Sequence, residues 1–135
     1  MDGNLIQGII MVVLLVMSAF FSATETSFSA LNRTRLKNMA EKGNKRAEAA
    51  LKLAENYDSL LSSILVGNNI VNISMASIGT VMFVNLLGSS SGPTVSTIVC
   101  TVVVLIFGEI TPKSVAKEMP ENFAMAVTPV MRVLL

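Results

Sequence analysis

Apolar residues run along this chain in three long blocks, separated first by a basic segment and then by a short uncharged turn. The blocks cover residues 5–31, 60–87 and about 94–111. Each is long enough for the roughly 17–25 residues that a bilayer-crossing helix needs. No Asp, Glu, Lys or Arg occurs between Ser59 and Gly108. Few soluble folds tolerate such a stretch, whereas two membrane spans joined by a tight turn require one. Residues 88–93, GSSSGP, supply the turn. Between the first two blocks, residues 32–58 read as a helical hairpin. Gly43 and Asn44 break it, and Ala47, Ala50, Leu51 and Ala54 then recur at helical spacing. Pro112 and Pro120 interrupt the chain after the third block, and Pro129 opens a last apolar stretch, PVMRVLL. The pattern predicts an all-α integral membrane domain with three transmembrane helices. A cytoplasmic helical hairpin separates the first two, and a juxtamembrane segment, 112–135, follows the third. Residues 122–135 are expected to lie along the membrane surface.

Composition agrees with this reading. Hydrophobic residues make up 52% of the 135 positions and charged residues 14%, against about 25% charged in soluble domains. Mean hydropathy is +0.65. The N-terminus starts Met-Asp-Gly-Asn, without the positive charge of a signal peptide, and its apolar run exceeds a signal core. The first block therefore reads as a retained span. Net charge is +1 and no basic tract carries interleaved aromatics, so nucleic acid is not an expected partner. The single cysteine, Cys100, excludes an internal disulfide and a cysteine metal cluster. Histidine is absent, which removes zinc-protease motifs and the Ser-His-Asp triad.

The basic residues set an orientation. Arg33, Arg35, Lys37, Lys42, Lys45, Arg46 and Lys52 lie in the hairpin, and Lys113, Lys117 and Arg132 follow the third block. Lys and Arg concentrate on the cytoplasmic side. The N-terminus is thus expected outside, with the hairpin and the C-terminal end inside.

Polar residues within the spans carry the candidate chemistry. Ser18, Ser22, Glu25 and Ser29 fall at steps of four, three and four, on one face of the first helix. The serines suit a helix-packing seam bonded back to the backbone. Glu25 is different, because a carboxylate within a span costs about 2.5–3.5 kcal/mol or more and usually faces a partner or cavity. Pairing with Arg33 or Lys113 is the plainer account of it. The second span carries LVGNNIVNISMASIG, with Asn68, Asn69 and Asn72 after Gly67. Asn69, Asn72, Ala76 and Gly79 share a face. Asparagines can bridge helices, but their amide oxygens are also hard, neutral donors suited to Mg²⁺, Ca²⁺ or Na⁺. The third span ends FGEITPK. The Pro112 ring conflicts with the Gly108 carbonyl in a regular helix, freeing that oxygen beside the Glu109 carboxylate. Interrupted helices lining a cavity recur in transporter ion sites; a kinked membrane exit with Glu109 in water is the alternative. The three spans together offer hydroxyl, amide and carboxylate oxygens without sulfur or imidazole, a set that selects a hard cation.

At SAFFSATETSFSAL (18–31), LVGNNIVN (65–72) and GEITPK (108–113) the chain resembles the membrane domain of the CorC/cyclin M family of magnesium transporters. Order, spacing and the intervening basic hairpin match over nearly the whole chain. The resemblance implies a three-span homodimer in the cell membrane that exports Mg²⁺, with Na⁺ entry as the coupling. It implies hydroxyl ligands from Ser18 and Ser22, amide oxygens from Asn69 and Asn72, the Glu109 carboxylate, and backbone carbonyls from Gly67 or Gly108. It also implies cytoplasmic CBS domains beyond residue 135 as partners, so that 1–135 is a transport domain cut before them. Two readings compete with transport. One is a membrane-anchored oligomerising scaffold whose polar residues only join helices. The other is an intramembrane serine–lysine protease built on Ser22 or Ser114 with Lys113. No second acid or oxyanion motif supports the protease, and an enzyme is not expected.

Overall fold

In a computed structural model, residues 3–134 are described, with the side chains of Asn4 and Leu134 excepted. Met1, Asp2 and Leu135 lie outside, and with them the acidic start and the last residue of PVMRVLL. The described residues form six helices and no strand: α1 (Gly3–Ala30), α2 (Arg33–Glu41), α3 (Lys45–Glu55), α4 (Tyr57–Leu87), α5 (Gly92–Glu118) and α6 (Pro120–Leu134). Three of them, α1, α4 and α5, are long and apolar enough to cross a membrane.

Exposure divides α1 into two halves. In the half before Ser18, Val12, Val13 and Val16 are exposed. In the half after it, Phe21, Ser22, Ala23, Thr24, Ser27 and Phe28 are buried. Ile73 on α4, and Ile98 and Phe107 on α5, are also more than half exposed. In water such side chains would each forgo about 1.5–3 kcal/mol of burial; in hydrocarbon they forgo nothing. The three apolar helices make this a multi-pass membrane protein. A buried apolar cluster lies toward the other end, where α6 packs against α1 and α3, α1 against α4, and α2 against α3, with Leu36, Leu53, Leu60, Ile64, Met125 and Met131 inside it.

Local chemistry explains the helix boundaries. The Asn32 side chain accepts from the Arg35 N–H at 3.1 Å, starting α2. The Asn44 side chain accepts from the N–H groups of Arg46 and Ala47, starting α3. Such caps satisfy donors that have no partner inside the helix. Between α2 and α3 the chain turns at Gly43, with φ +95°. The Arg33 guanidinium donates to the Ala54 carbonyl at 3.1 Å, and Arg35 lies 3.6 Å from the buried Glu121 carboxylate, tying α2 to α3 and α6. At the opposite end α4 and α5 cross closely: a Cβ on Gly92 would fall 2.7 Å from the Val84 backbone.

Two prolines behave differently from the sequence expectation. The third span does not stop at Pro112 but continues to Glu118. Residues Val104–Ile110 adopt the wider π-helical turn, and the Thr111 N–H reaches back five residues to the Ile106 carbonyl. The extra residue per turn absorbs the clash that would otherwise end the helix at the proline. Pro120 begins α6, where its missing N–H is harmless, and α6 runs on through Pro129. The Thr128 hydroxyl donates to the Ala124 carbonyl at 2.6 Å in that turn. Rather than only resting on a surface, α6 packs against α1 and α3 through Ala124, Val127, Thr128 and Met131.

Candidate functional site: a three-helix oxygen cluster

The buried half of α1 alternates small polar residues with phenylalanines, which lets neighbouring helices approach. Three of its six hydroxyls, those of Thr24, Ser27 and Ser29, turn back to their own helix. Thr24 donates to the Phe20 carbonyl at 2.7 Å, and Ser27 to the Thr24 carbonyl at 3.0 Å. Ser18 does not. Fully buried, its hydroxyl reaches across to α4, 3.2 Å from Asn72 Oδ1 and 3.4 Å from Asn68 Oδ1. A hydroxyl carries one proton and can donate to only one of the two amide oxygens at a time. Both distances exceed the roughly 2.7–2.8 Å of a strong hydroxyl bond. Three oxygens thus converge more loosely than a packing contact requires. Ser29 forms the tighter cross-link, 2.7 Å from the Tyr57 hydroxyl.

The π-helical turn of α5 completes the cluster. Gly108 is buried against Ser18, and a Cβ placed on it would lie 3.2 Å from Ser18 Oγ. Because Pro112 has no N–H, the turn before it has one more carbonyl than donor. The next residue, Glu109, is half-buried and lines a cleft of about 250 Å³ with Asn72, Ala76, Cys100, Thr101 and Val104. Asn72 therefore belongs both to the hydroxyl–amide cluster and to the carboxylate's cleft. Glu109 has no ion-pair partner among the described residues. An unpaired carboxylate within a spanning helix is costly.

The remaining predicted residues fall around this centre. Ser22 is buried one turn from Ser18 on the same face. Gly67 lies opposite the Phe21 ring, whose tip would be 2.7 Å from an added Cβ, so close approach of the ring accounts for this glycine. Asn69 is exposed, and among the described hydrogen bonds Ser18 reaches Asn68 and Asn72 rather than it. Asn68 stands at the cluster where the sequence pattern favours Asn69; both follow Gly67, and the motif alone does not separate them. Glu25 is half-buried and forms no ion pair with Arg33 or Lys113 among the described residues. No three His, Cys, Asp or Glu side chains gather among the described residues. The cluster's donors are neutral oxygens and one carboxylate, chemistry suited to a hard cation that keeps some of its own water.

Comparison with known proteins gives the same lineage as the motifs. The cyclin M transmembrane N-terminal domain matches residues 9–135. A UPF0053 protein of Haemophilus influenzae is 48% identical over 108 residues, covering 80% of this chain and 26% of that protein. The UPF0053 inner membrane protein YfjD of Escherichia coli is 44% identical over 107 residues, 79% of this chain and 25% of that protein. A chloroplastic DUF21 domain-containing protein of Arabidopsis thaliana is 37% identical over 121 residues, 90% of this chain and 18% of that protein. The chain spans about a quarter of the length of the two bacterial relatives. With this match across nearly all of its length, on a fold of three apolar helices, the chain belongs to the cyclin M transmembrane N-terminal domain family.

Proposed function

We propose that this domain carries Mg²⁺ across the cell membrane, exporting it with Na⁺ entry as the coupling. The observation that carries the reading is the convergence of Ser18, Asn68 and Asn72 beside Gly108, with Glu109 in the adjoining cleft. Three spans contribute oxygens to this region, and all the donors are hard. Ser18 and Ser22 offer hydroxyls, Asn68 and Asn72 offer amide oxygens, and Glu109 supplies the one negative charge opposite the ion. The π-helical turn aims Glu109 and leaves a spare carbonyl nearby. In the low-dielectric span a single carboxylate attracts a divalent ion far more strongly than in water. Neutral donors keep the site from holding the ion too tightly to release it.

The same reading places the N-terminus outside and α2 and α3 in the cytoplasm, from the distribution of the ten basic residues. It also makes the domain a homodimer. On α4 the polar Asn69 and Ser77 are exposed, and a second copy there shields them from lipid; Asn69 joins the ion's surroundings only in that assembly. CBS domains beyond residue 135 are the cytoplasmic partners. The scaffold alternative accounts for helix joining but not for Glu109 without a counter-charge.

The experiment is Mg²⁺ titration of the purified parent beside Glu109→Gln, Ser22→Ala and Glu25→Gln, with light scattering to follow assembly and folding. Glu109→Gln keeps the shape and removes the charge, so it is expected to lose Mg²⁺ binding while remaining folded. Ser22→Ala is expected to weaken it, and Glu25→Gln to disturb flux or assembly more than binding. Parent-like affinity in Glu109→Gln would overturn the site and favour the scaffold.

A further inference from the structure

A second cleft, lined by Lys45, Lys52, Asn56 and Arg132, shares no residue with the cation cluster. We propose that the cleft between α3 and α6 binds the phosphate headgroup of an anionic lipid. The cleft has a volume of about 380 Å³, and its lining includes Lys45, Lys52, Asn56 and Arg132 over Leu53, with Glu48 as its one acid. Three cations face one carboxylate. Lys52 and Glu48 stand 4.0 Å apart with both side chains largely exposed, a pairing too weak to neutralise either. Lys45 and Arg132 have no ion-pair partner among the described residues. Asn56, at the junction of α3 and α4, makes no capping bond with its side chain, which leaves its amide able to donate to an anion.

Position and neighbouring chemistry select a lipid over a free anion. Asn56 immediately precedes α4, a membrane-length helix, so the cleft sits where that helix leaves the hydrocarbon. Arg132 extends from α6 between buried Met131 and exposed Val133, with Val130 exposed one step further back. A soluble phosphate gains nothing from an exposed valine such as Val130, whereas the acyl chains of a lipid cover it. A basic pocket bordered by apolar surface at a membrane boundary is the form in which headgroup sites occur.

The test is native mass spectrometry of the intact chain released from micelles holding equal amounts of phosphatidylglycerol and phosphatidylcholine. The parent is expected to retain phosphatidylglycerol preferentially. The Lys45→Gln/Lys52→Gln/Arg132→Gln variant is expected to lose that preference by about fivefold per charge removed, on the order of a hundredfold in all. Lys37→Gln, which removes a cation from α2 outside the cleft, is expected to retain it. Circular dichroism checks folding of the triple variant. If it misfolds, Arg132→Gln alone takes its place, with an expected loss of about fivefold. Equal retention of the two lipids by the parent, or an unchanged preference in the folded variants, would overturn the site. Displacement of phosphatidylglycerol by millimolar inorganic phosphate would overturn the lipid assignment by revealing a free-anion site.

Discussion

Gly108→Ala separates the stability of the π-helical turn from its function. The added methyl would meet Ser18 Oγ at 3.2 Å and Leu15 Cδ1 and Val104 Cγ1 at 3.5 Å. The last two are ordinary contacts; the first obliges Ser18 to give by a few tenths of an ångström. That movement is comparable with the slack in the Ser18 hydroxyl's separations of 3.2 and 3.4 Å from the two asparagines, so the three-oxygen spacing cannot survive unchanged. Overpacking costs about 1–3 kcal/mol, while replacing glycine by alanine inside a helix returns about 1 kcal/mol. The net loss of stability is therefore zero to about 2 kcal/mol. Displacing a group that positions a metal costs roughly 10–100-fold in affinity. Calorimetric Mg²⁺ titration of the detergent-purified variant should show that loss, and chemical unfolding should show a nearly unchanged fold. Gly8→Ala is the control, since a Cβ there meets nothing within 4 Å; it should leave both measurements close to the parent. If Gly108→Ala binds Mg²⁺ as tightly as the parent, Ser18 and Gly108 do not border the ion.

Gly67→Ala should act on stability instead, because its Cβ would sit 2.7 Å from the tip of the buried Phe21 ring; a loss of about 1–3 kcal/mol in an unfolding titration is expected, and Phe21→Leu in the same chain should recover part of it. For orientation, a tag in the turn at residues 88–91 should be reachable from outside intact cells and a tag at Gly43 should not; labelling at Gly43 in sealed cells would reverse the assignment drawn from the basic residues.

The spans were legible because a charge in hydrocarbon is so costly that chains crossing it exclude one, as residues 59–108 do throughout. The seam on α1 was legible because Ser18 and Ser22 repeat at helical spacing. Which asparagine joins it was not. Asn68 and Asn69 are about 100° apart around a helix, and the rotation of α4 is fixed by packing, with the Phe21 ring seated against Gly67. The proline rule puts a disturbance near Pro112, where the structure has one, but reads it as an end. A helix can break at a proline or widen ahead of it, and the choice depends on what the widened turn packs against, here Ser18 beside Gly108. Pro129 shows the same limit: it stands exposed inside α6, whose neighbouring Val127, Thr128 and Met131 are buried and hold the helix in place.

The close crossing of α4 and α5 bears on how the chain enters the bilayer. Gly92 packs against Val84, and the turn between the helices contains only Gly and Ser. The turn end of this hairpin must be carried through the hydrocarbon during biogenesis, and that end, within the uncharged stretch 59–108, holds no ionised group. The transfer work is reduced to the few backbone groups of the turn, and Gly88 already folds these back, its N–H donating to the Val84 carbonyl at 2.8 Å. The two helices can thus be inserted as a single pre-paired unit.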